Sequence, residues 1–267
     1  MRRDTATGGP PSAAEESVAD ATTGSGERET PAEIRPSARL VSHTPEPETA
    51  VALAARLCYS KSGLAEVVAG LTEAETASFI DKLREAGHLS PFEHASFQFY
   101  IEGSRAMLAQ LTRHRIASYS VQSLRYVAPG RPEYVVPPLI RRDEARLAVY
   151  RAQMDQAFVA YHDLLARGVP AEDARMVLGQ GVATRLVCTF NARSLHNFFR
   201  LRCCRRAQWE IRQIAYQMRR EVRRVAPALF SDAGPACESL GHCTEGRFSC
   251  GRHRFLGRIG PAPAGNS

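Results

Sequence analysis

Apolar and polar positions alternate along two stretches of the chain and recur at helical spacing along several others. Phe97, Phe99 and Ile101 alternate with Ser96, Gln98 and Tyr100, which predicts a strand with one buried face. Residues 184–190 repeat that alternation, and 39–42 reads as a shorter strand-like run. Helices are predicted at about 47–58 and 74–86. The second carries Phe79, Ile80 and Leu83 on one face and stops at Gly87, a residue suited to a helix C-terminus. Ser104 can cap a helix to about 113, with Met107, Leu108 and Leu111 as its stripe. A Pro/Gly-rich link at 128–138 leads to a long helix over 142–166, and Pro170 opens another that carries Arg175. Asn191 is placed to cap a helix over about 192–206. A further helix runs to about 225 on the stripe Ile211, Ile214, Met218 and Val222. The elements describe one α/β domain, helices packed on a sheet, without the regular βαβ repetition of a Rossmann fold.

The ends differ from this middle. Residues 1–36 are rich in Ala, Thr, Gly, Pro, Ser and Glu and nearly free of large apolar groups. Burial there cannot offset the entropy of ordering, so a disordered extension is expected. From 231 to 267 the chain turns Gly-, Cys- and Arg-rich and reads as an appendage to a domain over 37–230. No stretch approaches the roughly 18 apolar residues of a membrane helix. The first 36 residues lack a signal peptide's apolar core, so a cytoplasmic protein without a membrane partner is expected.

The 267 residues carry a formal charge of +7, and only Lys61 and Lys82 are lysines among 35 basic residues. Arginine suits phosphates and other anions because its planar, permanently charged fork donates in pairs. A GC-rich genome raises arginine as well, so position along the chain must decide. Residues 113–126 are the most informative stretch: Arg113, His114 and Arg115 at a helix end, then Ser118, Ser120, Gln122, Ser123 and Arg125. Gln110 and Arg113 share a helix face. Cationic, hydroxyl and amide groups in this order suit a ligand with phosphate and amide-like edges, as in a nucleotide. An exposed basic turn and a nonspecific nucleic-acid contact are the other readings.

The pattern Arg113-His114-Arg115, seven residues, Ser123, then Arg125-Tyr126 resembles the signature of the flavin-dependent thymidylate synthases. Upstream, His88-Leu89-Ser90-Pro91-Phe92-Glu93-His94 is similar to that family's His-x-[Ser/Thr]-Pro-Phe-Glu-His segment. Downstream, Ala174-Arg175-Met176-Val177-Leu178, Asn191-Ala192-Arg193-Ser194-Leu195, Asn197-Phe198-Phe199 and Leu201-Arg202 through Ala207-Gln208-Trp209-Glu210-Ile211 follow in the family's order. The resemblance spans roughly 39–228.

It implies an α+β domain with a central, largely antiparallel sheet packed by helices, assembled as a homotetramer with active sites between subunits. It implies FAD as cofactor, NADPH as reductant, methylenetetrahydrofolate as one-carbon donor and dUMP or UMP as the nucleotide methylated at C5. Ser90, Arg113, His114, Arg115, Asn191, Arg193 and Asn197 would contact the flavin. Gln110, Arg113, Ser123, Arg125, Arg175 and Arg202 would contact the nucleotide. Arg202 stands at the family's activating position, and His88 at that of a histidine near the flavin ring. The alternative class of thymidylate synthase uses a cysteine in a Pro-Cys-His setting, and the chain has no such tripeptide.

Three positions depart from the pattern: Val121 where some members carry Glu, Gly179 where Pro is usual, and Arg206 where His is frequent. They leave the preference between dUMP and UMP open. Cys237, Cys243 and Cys250 lie near His242 and His253 at gaps of five and six residues, wider than the x2–x4 pairs of zinc sites. Reduced thiols and no metal are therefore expected. Two other classes compete with the enzyme, a basic nucleic-acid-binding protein and a flavin-binding relative without catalysis. The arginines here keep company with Asn, Gln and Ser rather than interleaved aromatics, so a small-molecule ligand is favoured over a nucleic acid.

Overall fold

The computed structural model describes residues 31–58, 60, 61, 63, 65, 66, 72–125 and 132–255. Positions 1–30 of the expected extension, Tyr126, residues 128–131 of the link and 256–267 of the tail lie outside the described residues.

A four-stranded sheet of order β2-β3-β6-β4 forms the centre, antiparallel at every pairing. Its strands are β2 (Ser37–His43), β3 (Ser96–Ser104), β4 (Ser118–Val121) and β6 (Ala183–Asn191). β3 and β6 are paired over their full length, Ser96 opposite Asn191 and Ser104 opposite Ala183. The alternation predicted from sequence is physically expressed here. Phe97, Phe99 and Ile101 of β3 and Leu186, Cys188 and Phe190 of β6 are buried on one face. Helices α7 (Ala192–Arg202) and α8 (Trp209–Val225) cover that face with Leu195, Phe198, Phe199, Ile211, Ile214, Met218 and Val222. Burying one such side chain is worth about 1.5–3 kcal/mol, so this layer dominates the fold.

Helices α1 (Pro47–Leu57) and α2 (Glu73–Glu85) pack together on the same core through Val51, Ala55, Ile80 and Leu83. Thr72 and Glu75 form a reciprocal capping box at the start of α2. Gly87 follows its end at φ +68°, a conformation that glycine adopts without strain. Helix α3 (Arg105–Leu111) follows β3 directly, with Ser104 capping it as predicted by accepting from Met107 N at 3.1 Å.

A second, smaller core joins Tyr134, Val136 and Val182 to Leu147, Met154 and Phe158. The last three belong to α5 (Glu144–Ala166), which follows the single-turn helix α4 (Pro138–Arg141). In front of them β5 (Glu133–Val135) pairs in parallel with β1 (Ala32–Ile34). β1 lies inside the segment expected to be disordered. Two features hold it: Glu33 pairs with Arg141 at 2.8 Å and Arg151 at 2.7 Å, and the Pro36 carbonyl accepts from Gln213 and Gln217. A three-residue strand of ordinary composition leaves no periodic signal, so 31–36 read as extension.

Two helix ends also shift. The helix predicted to 206 stops at Arg202 with Cys203 as its C-cap, and the side-chain oxygen of Gln208 caps α8, accepting from Glu210 N and Ile211 N. Arg175 stands just after α6 (Ala171–Ala174), in a 3-10 turn. Residues 231–255 pack against the domain. Ala233 is buried, Glu238 on α9 (Ala236–Ser239) pairs with Arg219 and Arg252, and Arg252 donates to the Tyr216 hydroxyl at 2.9 Å.

Candidate active site

The ends of α3 and α7 meet beside the segment 88–94, and the space between them is a cleft of about 910 Å³. Its walls come from Arg113 to Ile116 after α3, from Asn191, Arg193, Ser194, Asn197, Arg200 and Arg202 along α7, and from Phe92 and Glu93 of the 3-10 turn Ser90–His94.

Local sequence sets each wall. Asn191 ends β6 and caps α7, its Oδ1 accepting from Ser194 N at 2.8 Å. The cap fixes the helix phase, and positions 193, 197 and 200 then fall on one face at i, i+4 and i+7. Both flavin candidates of that face, Arg193 and Asn197, reach the cleft, and so does Arg200, whose Nη2 donates to Asn197 Oδ1 at 3.1 Å. Arg200 was missed from sequence although its helical offset points to it.

Helix α3 is tied down at its other end. The Ser104 amide and hydroxyl donate to the two carboxylate oxygens of buried Glu210 at 2.6 and 2.5 Å. Burial raises the Glu210 pKa, and these donors compensate the carboxylate. The clamp joins α3 to α8 and so fixes where the turn 112–117 emerges.

Within that turn His114 is buried, its ring packed edge-on against Phe198 at 4.9 Å. Arg202 Nε donates to His114 Nε2 at 2.9 Å, and Arg202 Nη2 donates to the Gln110 carbonyl at 3.2 Å. Burial, and then the adjacent Arg202 charge, push the His114 pKa down to about 4. Arg202 is itself lowered, first by burial and then by Arg113. Tyr119 of β4 donates its hydroxyl to the His114 and Leu111 carbonyls at 2.7 and 3.0 Å. β4 was missed in the sequence because a four-residue edge strand with exposed Ser118 and Ser120 shows no apolar repeat.

Glu93 Oε1 lies 2.5 Å from Arg193 Nη1. Glu93 belongs to the segment that resembles the family pattern, yet its role as a counter-ion is visible only in three dimensions.

The remaining candidates lie elsewhere. Ser123 and Arg175 line a separate groove of about 440 Å³ with Arg105, Thr112, Gln122 and Gln180. Arg125 stands beside it, paired with Glu172 at 3.0 Å, while Arg175 Nε donates to the Glu172 carbonyl. Gln110 lies between the two hollows on α3, and its side chain is not among those lining either. His88 is half-buried and Ser90 exposed, and both lie outside the lining, on either side of the lining residue Leu89. One chain thus gathers the flavin candidates Arg113, His114, Arg115, Asn191, Arg193 and Asn197 with Arg202. It holds Ser123 and Arg175 apart from them.

Six arginines, two asparagines and a guanidinium-bound histidine line one large hollow, a lining whose chemistry suits a polyanionic ligand. The sequence profile of the family described as "Thymidylate synthase complementing protein" matches residues 39–228. The chain belongs to this family. Members named flavin-dependent thymidylate synthase include one from Geobacter sulfurreducens, 52% identical over 224 residues, covering 82% of this chain and 96% of the relative. One from Clostridium tetani is 43% identical over 238 residues, covering 83% of this chain and 95% of the relative. Among solved structures, a UMP/dUMP methylase, PolB from Streptomyces cacaoi, bound with 5-Br dUMP, superposes with a TM-score of 0.67. It is 26% identical, over 74% of this chain and 93% of that one. The chain is accordingly an enzyme of the flavin-dependent thymidylate synthase type, and the antiparallel α+β fold expected of that family is the one observed.

The family departures have local settings. Val121 pairs with Leu186 at the end of β4, and Gln122 N donates to the Arg185 carbonyl. A Cβ added at Gly179 would meet no atom within 4 Å beyond its chain neighbours. Arg206 lies 4.9 Å over the Phe248 ring and 3.8 Å from Glu245, so it holds the C-terminal segment. Cys204, Cys237, Cys243, Cys250 and His253 line a cavity of about 130 Å³ beneath that segment. Among the described residues no three His, Cys, Asp or Glu side chains are grouped to hold a metal ion, and no helix is long and apolar enough to cross a membrane.

Proposed function

We propose that the protein methylates C5 of a uridine monophosphate, dUMP first and UMP as the alternative. Methylenetetrahydrofolate is the carbon donor, reduced FAD the hydride donor and NADPH the reductant. Support comes from the family, from the UMP/dUMP methylase with the related fold, and from a cleft whose donors suit a flavin dinucleotide. The arginines at 113, 115, 193 and 200 suit its phosphates, and Asn191 and Asn197 offer amides for polar edges. Bound flavin supplies the hydride, and the chain supplies binding and charge.

The carrying observation is Arg202. His114 and the Gln110 carbonyl take the Nε–H and one Nη2–H, which leaves three of the five guanidinium donors. Two of the three are the parallel N–H groups of the Nη1–Nη2 edge, a fork suited to an anion. Directed at a pyrimidine, they stabilise negative charge developing toward N3 and O4 and so make C5 the nucleophile. No enzyme thiol is then required. The two buried cysteines nearest the core, Cys188 and Cys203, are pushed by burial up to about 12, far from a thiolate at neutral pH.

The separation of Ser123 and Arg175 from Arg202 within one chain supports a nucleotide held between subunits of a homotetramer, with Gln110, Arg113, Ser123, Arg125, Arg175 and Arg202 as its contacts. Flavin contacts are Ser90, Arg113, His114, Arg115, Asn191, Arg193 and Asn197, and His88 positions folate or a water. The test is spectroscopic: purified protein is yellow, and NADPH bleaches the flavin band faster when dUMP is present. A colourless protein that ignores added FAD contradicts the reading.

A further inference from the structure

Arg202 can only donate, so the 2.9 Å contact from its Nε requires a lone pair on His114 Nε2. The proton of the ring must then sit on Nδ1. A doubly protonated ring offers no lone pair and places a second cation against the guanidinium. Three contacts hold the imidazole in place for this work. Phe198 packs edge-on against the ring at 4.9 Å, the Tyr119 hydroxyl grips the His114 carbonyl at 2.7 Å, and the His114 amide donates to the Leu111 carbonyl at 3.1 Å. The Gln110 carbonyl takes the Nη2–H on the same edge of Arg202. One whole edge of the guanidinium is therefore gripped by the last turn of α3 and the turn that follows it, and Arg202 is one of the residues lining the cleft.

We infer that His114 is a positioning residue for Arg202, its Nε2 fixing the plane and direction of the guanidinium, in addition to any contact His114 makes with flavin. The inference rests on the reading of Arg202 as the group that polarises the pyrimidine. A guanidinium free to rotate about its long side chain spends part of its time misaligned and pays ordering entropy at each turnover. Loss of that alignment is expected to cost roughly 10- to 100-fold in rate, the range for a displaced positioning contact.

The experiment compares His114→Phe and His114→Gln in the full chain, loaded with FAD. Phenylalanine fills the niche against Phe198 without an acceptor, and glutamine places an amide oxygen near the Nε2 position. Expected are a 10- to 100-fold loss of kcat per bound flavin in His114→Phe, with KM for dUMP changed less than kcat, and recovery to within a few-fold in His114→Gln. Equal kcat per flavin in His114→Phe and the native protein overturns the inference, as does a glutamine variant no better than phenylalanine. If His114→Phe does not fold, His114→Ala with added imidazole replaces it: imidazole raising kcat per flavin supports the inference, and imidazole without effect overturns it. A readout independent of turnover is the Arg202 Nε–H resonance of nitrogen-labelled protein, protected in the native chain and lost in His114→Phe or His114→Ala. Native protein that methylates neither dUMP nor UMP overturns the proposed function alone, and that resonance then decides the inference.

Discussion

Glu93 and Arg193 face each other across the mouth of the cleft, Oε1 to Nη1 at 2.5 Å, both side chains about half exposed. The acid comes from the segment after α2 and the base from the first turn of α7, so the pair bridges the two walls that would hold a flavin. An exposed pair of this kind is worth about 0–1 kcal/mol. It orients Arg193 and is easily given up to a phosphate. Arg193→Ala should weaken FAD binding by roughly 10- to 100-fold, the range for losing a charged hydrogen-bond donor. Glu93→Gln should tighten it by no more than about five-fold. Flavin titration followed by absorbance measures both, and unchanged affinity in Arg193→Ala removes Arg193 from the cofactor site.

Arg175 and Arg202 line different hollows of one chain, which allows a complementation test of the proposal that two chains build one site. Arg175→Ala and Arg202→Ala should each be inactive as pure oligomers. Unfolded together and refolded at equal ratio, they should recover a measurable fraction of native activity, because some interfaces then combine an intact Arg175 with an intact Arg202. No recovery in a mixed oligomer shown by mass spectrometry to have formed contradicts a site built from two chains.

The pH dependence has a defined sign. His114 faces cationic Arg202 from α7 and stands beside Arg113, while β4 offers it only the Tyr119 hydroxyl, which donates to its carbonyl. Its folded pKa is held down to about 4, below the ordinary value of 6.5. The unfolded chain therefore takes up this proton first as the pH falls. Stability from this group is complete above about 6.5 and is lost progressively between 6.5 and about 4. Chemical denaturation across that window should show a shallower loss in His114→Gln than in the native protein. Equal slopes would mean that the histidine is not held neutral.

Phe230 lies beyond the last long helix, yet it is fully buried, with Phe97 at 5.2 Å and His196 stacked on it at 5.2 Å. Phe230→Ala should cost about 3–5 kcal/mol, on the order of 10 °C in Tm for a domain of this size. Thermal unfolding of the flavin-free chain measures it. The C-terminal segment has its own clamp, Glu238 between Arg219 and Arg252. Removing that partly buried carboxylate in Glu238→Ala leaves two cations facing each other and should lower Tm by several degrees.

The long periodic elements were legible because each buries one face: Phe97, Phe99 and Ile101 for β3, Ile211, Ile214, Met218 and Val222 for α8. Caps were legible too, since Ser104 and Asn191 are short polar side chains placed before apolar runs. β1 and β4 were not, because three or four residues at a sheet edge carry no period, and a pairing partner 100 residues away leaves no local mark. In the site, the cationic members were visible as residue types at motif spacing. Their counter-ions Glu93 and Glu172, and the assignment of His114 to Arg202, depend on turns that bring distant segments together. The same holds for Ser123 and Arg175, whose displacement from the main cleft no one-dimensional spacing encodes.

The guanidinium at position 202 is proposed to activate C5 of a uridylate for methylation beside a flavin. The direct measurement is product analysis after incubating the FAD-loaded protein with NADPH, methylenetetrahydrofolate and dUMP, and in parallel with UMP. The native chain is expected to yield a 5-methyl nucleotide. Arg202→Ala at full flavin occupancy is expected to form it at least about a hundred-fold more slowly, the range for losing one charge-stabilising donor. A native, flavin-loaded protein that yields no 5-methyl product from either nucleotide would contradict the proposal, as would an Arg202→Ala variant that keeps the native rate.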